Sequence, residues 1–171
     1  MKKILIIIFI YFFSFNYSLA DTPYFLDFKM ILNESTAGKK AQTYLKNKLD
    51  KGFKDLNLKK DKILDEEKKI VQQKKVISNE EYKKKISELR STVSSLQKER
   101  NTLIESVAKQ RAKAKSELLK NLNPIVKNYM KEKKIRMVVD KKNVLLADEN
   151  LDITKDIIAL LNQKLKSIKL N

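Results

Sequence analysis

The sequence predicts an α+β protein: a small β body of three short strands, one long antiparallel α-helical hairpin and a C-terminal helix. Two observations carry that prediction. Residues 39–76 and 78–123 are rich in Lys, Leu, Glu, Asp and Gln, place apolar residues at helical spacing and contain only Gly52 as an interior breaker. Short apolar runs stand on either side of this charged stretch, at 24–28, 135–140 and 143–148, and read as strands. A third observation bears on how such a body holds together. Beyond residue 20 only seven aromatic side chains remain and there is no Cys, so neither a large core nor disulfides can brace three short strands.

Taken in order, Met1-Lys2-Lys3 is a basic start, residues 4–15 are an uncharged apolar run, and Ser18-Leu19-Ala20 puts small residues before Asp21. That is the layout of a signal peptide cleaved after Ala20. The run is shorter than the roughly 20 residues a transmembrane helix requires, and no Cys follows it to take a lipid anchor. The remaining chain divides into a first body segment at 21–38, a helical-hairpin arm at 39–123 and a second body segment at 124–171.

Residues 24–28 follow Pro23 and read as one buried strand, and Ser35-Thr36-Ala37-Gly38 then breaks the pattern. In the first arm helix Leu45, Leu49, Phe53, Leu56, Ile63 and Ile70 form a narrow stripe. Gly52 marks either a bend or a close helix contact. Ser78 with Glu81 three places later is a capping box, the hydroxyl accepting from one helix-end amide and the carboxylate returning to the other. Tyr82, Ile86, Leu89, Val93, Leu96, Leu103 and Val107 then form a heptad seam with Arg100 as its polar place. The short corner between them makes the helices double back antiparallel, each reaching roughly 60 Å.

At Pro124 the missing donor and the clash with the Lys120 carbonyl predict a kink or break, with helix resuming over 125–133. Residues 135–140 and 143–148 flank Lys141-Lys142 as a hairpin of two strands. Asp152-Ile153-Thr154 offers caps for a closing helix along Ile157, Ile158, Leu161, Leu165 and Ile168. The arm starts and ends at the same place, so the three strands form its base. Their two unpaired edges are a liability in isolation, and several copies joining sheets into one barrel would remove them.

Charge and composition narrow the function. The chain carries 38 basic and 21 acidic side chains, a net +17, and the arm at 39–123 holds 24 basic against 12 acidic. Lys59-Lys60, Lys68-Lys69, Lys74-Lys75 and Lys83-Lys84-Lys85 crowd toward its tip. Such a field draws acidic partners over a Debye length of about 8 Å at physiological salt. With no Cys, no His and two glycines far apart, at 38 and 52, the sequence offers no thiol or imidazole catalyst and no phosphate-cradling loop. An enzyme is not expected, and no cofactor or metal.

The run Val138-Val139-Asp140-Lys141-Lys142-Asn143-Val144-Leu145-Leu146-Ala147-Asp148, then Leu151-Asp152-Ile153-Thr154 and the helix to Leu161-Asn162, resembles the Skp/OmpH family of periplasmic chaperones. The first strand ending at Asp27, the step Ser35-Thr36-Ala37-Gly38-Lys39 and Pro124 are similar too. The resemblance implies a periplasmic homotrimer, three arms enclosing a cavity that holds unfolded outer-membrane β-barrel proteins. On that reading Phe25, Leu26, Phe28, Val138, Val139, Val144 and Leu146 are candidates for the trimer body. Apolar Ile70, Val71, Val76, Ile77 and Tyr82, with Lys68, Lys69, Lys74, Lys75, Lys83, Lys84 and Lys85, are candidates for client contact. The alternative is a basic coiled coil in transient contact with anionic lipid or lipopolysaccharide. Any nucleic-acid binding would be a non-specific product of charge, since no recognition motif is present.

Overall fold

The computed structural model describes residues 22–170, so the expected leader and its cut after Ala20 lie outside the described residues. Strand β1 (Tyr24–Leu26) leads into helix α1 (Phe28–Glu34) and the two arm helices α2 (Thr36–Gln73) and α3 (Asn79–Lys133). Strand β2 (Val138–Asp140), single 3₁₀ turns at Lys141–Asn143 and Glu149–Leu151, and helix α4 (Thr154–Lys164) complete the chain.

The expected strand at 24–28 is cut short at Leu26, and Phe28 opens a helix instead. Asp27 causes the change: its carboxylate accepts the Met30 amide at 2.8 Å, an N-cap that outweighs the β preference of Phe28. Ser35 then serves two helices, ending α1 and capping α2 by accepting from the Gly38 amide at 3.2 Å. The arm therefore starts at Thr36, just before the expected residue 39. Gly38 is required here, because a Cβ would sit 2.1 Å from the Leu32 carbonyl oxygen of α1.

Helices α2 and α3 lie antiparallel, as expected, joined across their length by Lys48 with Ser106, Lys59 with Glu99 and Gln73 with Lys85. Ser78 caps α3 by accepting the Glu81 amide at 3.1 Å, while the Glu81 carboxylate turns to Lys85, 3.7 Å away. Gly52 is a packing glycine: Leu103 occupies the space a Cβ would take.

Helix α3 does not break at Pro124 but runs through it to Lys133. Leu118, Leu122 and Ile125, on both sides of the proline, are all buried in the body core. Burying three such side chains contributes about 1.5–3 kcal/mol each, more than the roughly 3 kcal/mol a helical proline costs. Lys134 ends the helix in the left-handed region at φ 56°.

Among the described residues the body holds two strands, not three. β1 and β2 pair in parallel, Tyr24 opposite Val138 and Leu26 opposite Asp140, and Phe25 also bridges Asp152 on the far side of β1. The expected hairpin is absent because Asp140 accepts the Lys142 amide and Asp148 accepts the Asn150 amide, each winding the backbone into a 3₁₀ turn. Residues 144–148 thus run between two turns without a strand partner among the described residues. Under the sheet, Leu26, Ile31, Leu118, Leu122, Ile125, Ile135, Ile153, Ile157 and Leu161 form the main core.

Helix α4 stops at Lys164, short of the expected Ile168. The tail turns away because Leu170 finds a better place at the arm's root, among Ala41, Leu45, Val107 and Ala114, and its carbonyl accepts from Gln110 Nε2 at 2.8 Å. No side chain caps α4 directly; Ile153 stands at its N-cap and Asp152 accepts the Thr154 amide. Among the described residues no helix is long and apolar enough to cross a membrane.

Candidate functional site: the basic arm and the open rim of the body

Two parts of the molecule carry surface that the chain itself does not cover. The first is the arm beyond its root. Ile63, Ile70 and Leu89 form its distal core, with Tyr82, Ile86 and Leu96 packed against them. Ile70 is only 4% exposed, so this expected contact residue belongs to the hairpin interior. Val71 and Val76 are exposed, and Ile77 and Tyr82 are half-buried. The Lys74 ammonium lies 5.7 Å from the Tyr82 ring centroid, a cation–π approach that ties the corner down.

The tip lysines stand as expected on the surface, with differing company. Lys68 lies 3.5 Å from Asp65, and Lys85, half-buried, donates to Gln73 Oε1 at 2.8 Å. Lys69, Lys74, Lys75, Lys83 and Lys84 are exposed. Exposed ion pairs contribute about 0–1 kcal/mol, so the local excess of positive charge is left largely uncompensated. Val93, expected in the seam, is exposed, because a hairpin of two helices covers only a narrow stripe of each.

The second part is the rim of the body. Phe25 and Leu26 are buried within the chain, while Val138, Val139 and Val144 are half-buried. Phe28 is half-buried on α1, with the Lys115 ammonium 5.9 Å from its ring centroid. Leu146 and its neighbour Leu145 stand wholly in solvent, at 93% and 103% relative exposure. Beside them β2 pairs only with β1 among the described residues, so its outer edge is open. The candidates thus split: Phe25 and Leu26 form the chain's own core, and Leu146 is free surface. Leu145 was legible as the other leucine of the same run.

A polar knot fixes this rim. Asp152 accepts from Lys141 Nζ at 2.9 Å and from both the amide and the hydroxyl of Thr154, and that hydroxyl oxygen accepts the Asp27 amide at 2.8 Å. Partial burial pushes the Asp152 carboxyl up, but the bonds from Thr154 and Lys141 outweigh it and hold the group below the usual carboxylate range. The same bond raises the Lys141 ammonium above its ordinary value. Between α3 and α4, burial followed by the bond to Asp156 pushes the Tyr129 hydroxyl up to about 12. Asp152 and Thr154 stand in the sequence as cap candidates, whereas the ties from Lys141 and from the Asp27 amide depend on the fold.

Comparison with known proteins follows the same lines. A family model described as outer membrane protein (OmpH-like) matches residues 24–161. A solved structure, described as a candidate outer membrane chaperone (OmpH-like) from Caulobacter crescentus, is similar with a TM-score of 0.80 at 20% identity, covering 86% of this chain and 89% of that one. No curated protein matches the sequence.

Proposed function

The chain belongs to the OmpH-like family, and on that premise we propose that it is a periplasmic holdase for unfolded outer-membrane β-barrel proteins. The observation that carries the reading is the arm itself. Two long helices extend from the body, keep a narrow seam for one another and leave a strongly basic surface around it. An arm of that kind keeps only a thin apolar seam inside and turns most of its side chains outward. It suits broad, weak contacts with a chain that must be kept from its neighbours, each partial burial adding a fraction of the about 1.5–3 kcal/mol of a full one.

Three copies complete the object. The open edge of β2 and the exposed Leu145 and Leu146 are what a neighbouring copy would cover, the 144–146 run of one chain adding the third strand to the sheet of the next. The arms would then surround a shared hollow, with the signal peptide delivering the protein to the compartment where its clients pass.

The test is an aggregation assay. An outer-membrane barrel diluted from urea is mixed with the purified protein and followed by light scattering. Suppression at about one trimer per client, weakening as salt is raised, is the expected result. Unchanged scattering at trimer excess in low salt would reject the reading.

A further inference from the structure

The arm has two unlike sides. A helical position advances about 100° per residue, so a residue three after a seam position lies on one flank and a residue one or four after lies on the other. Lys48, Lys59 and Gln73 are each three after a seam residue, Leu45, Leu56 and Ile70. Their partners on α3 share one flank as well: Glu99 and Gln110 lie three after Leu96 and Val107, and Lys85 lies four before Leu89. These ties join the two flanks they occupy, so those flanks form one side of the hairpin and the remaining two form the other.

On that other side four of the arm's exposed apolar residues line up with half-buried Phe53 and Ile86, while Tyr44 and Leu58 lie elsewhere. Phe53, Leu64 and Val71 each come one after Gly52, Ile63 and Ile70, while Ile86 and Ile104 come three before Leu89 and Val107, and Val93 comes four after Leu89. Four of them, Leu64, Val71, Val93 and Ile104, are 42–57% exposed. From the antiparallel register of the ties, Val71 stands level with Ile86, Leu64 with Val93 and Phe53 with Ile104. The same side carries Lys46, Lys60, Arg90, Arg100 and Arg111, with Lys74 and Lys83 at its tip end, against Asp50 and Glu67.

We infer that this untied side of the arm, and not its lysine-rich tip, is the surface on which the client lies, and that the client presents an extended segment with acidic residues among apolar ones. The inference rests on the holdase reading and deepens it. Two features choose the occupant. Asn57, Lys60, Gln97 and Arg100 interrupt the apolar ribbon between Leu64 and Phe53, so a packed helix would meet a polar gap of about two to three turns, whereas an extended chain can bridge it. The surplus of positive charge repels the same face of a second copy and attracts carboxylates.

The paired variant Leu64→Gln/Val93→Gln is compared with Leu58→Gln, a still more exposed position off the ribbon, in the scattering assay. A photo-crosslinking residue placed at 64 or at 58 reports contact directly. The ribbon variant is expected to need about tenfold more protein for half-suppression, the Leu58 variant no more than the parent, and the crosslink to client should form from 64 and not from 58. Thermal melting confirms that both variants fold; should the paired variant melt early, the crosslinks decide. A parent that suppresses aggregation while the ribbon variant matches it, or crosslinks of equal yield from both positions, overturns the inference and leaves the holdase intact. A parent that suppresses nothing in low salt overturns both.

Discussion

Asp152 shows how one side chain can set the conditions under which the body stays closed. Its carboxylate gathers bonds from Lys141 and Thr154, and through the Thr154 hydroxyl it steadies the Asp27 amide at the junction of β1 and α1. Because its folded pKa lies below the ordinary value of 3.8, its contribution is present above the usual carboxylate range and is lost as pH falls through the folded value. Melting temperature is therefore expected to hold steady down to about pH 5 and to fall below about pH 4. Asp152→Asn should lower the plateau by on the order of 1 kcal/mol, a charge-assisted bond discounted for solvent screening, and flatten the acid limb. A melting-versus-pH series on both proteins checks this, and an Asn variant with an unchanged acid limb would place the sensitivity elsewhere. Of these bonds the sequence signals the local cap between Asp152 and Thr154, while only the fold brings residues 27, 141 and 152 together.

Elements divide by how much of their conformation is decided locally. The arm helices were legible because their stripes repeat over many turns and Ser78 caps the second one as its sequence says. The short runs were not, since three to six apolar residues fit a strand or a buried helix alike, and side-chain caps from Asp27, Asp140 and Asp148 settled each case. Of the kink or break expected at Pro124 the break does not occur, for the opposite reason, local chemistry giving way to burial of Leu118, Leu122 and Ile125. The tail is a further case of tertiary choice. Leu170 seals the arm's root, and a chain of bonds runs from Lys48 through Gln110 to the Leu170 carbonyl. Leu170→Asp should cost about 1.5–3 kcal/mol at that point. Hydrogen exchange is expected to quicken at 41–45 and 107–114 while the core around Leu118 and Leu122 keeps its protection. Uniform quickening across both regions would mean that the tail braces the whole molecule and not the root.

At the scale of the molecule the unfinished rim is the decisive feature. A two-stranded sheet with one open edge and two adjacent leucines in water is poorly suited to solitary life, since contiguous exposed apolar surface beside an unpaired strand invites association. The sequence already implied a sheet too small to stand alone, but it assigned the third strand to the same chain's hairpin. Among the described residues that strand does not form, because Val144, Leu145 and Leu146 lie between two 3₁₀ turns and pair with no other strand. In the proposed trimer each copy would cover the rim of the next, so Leu145→Asp/Leu146→Asp would bury two carboxylates in that contact and leave the separate chain untouched. The expected result is a shift of mass toward monomer by light scattering, with a midpoint of assembly raised at least about a hundredfold in concentration, the equivalent of about 3 kcal/mol. Helical content should change little, because neither leucine packs in the chain's own core. Client protection should fail together with assembly, since a lone arm loses the gain in effective concentration that three arms supply. If the double variant stays trimeric, the copies meet through another surface. If it becomes monomeric yet protects clients at the same ratio of chains, the shared hollow is not what holds them.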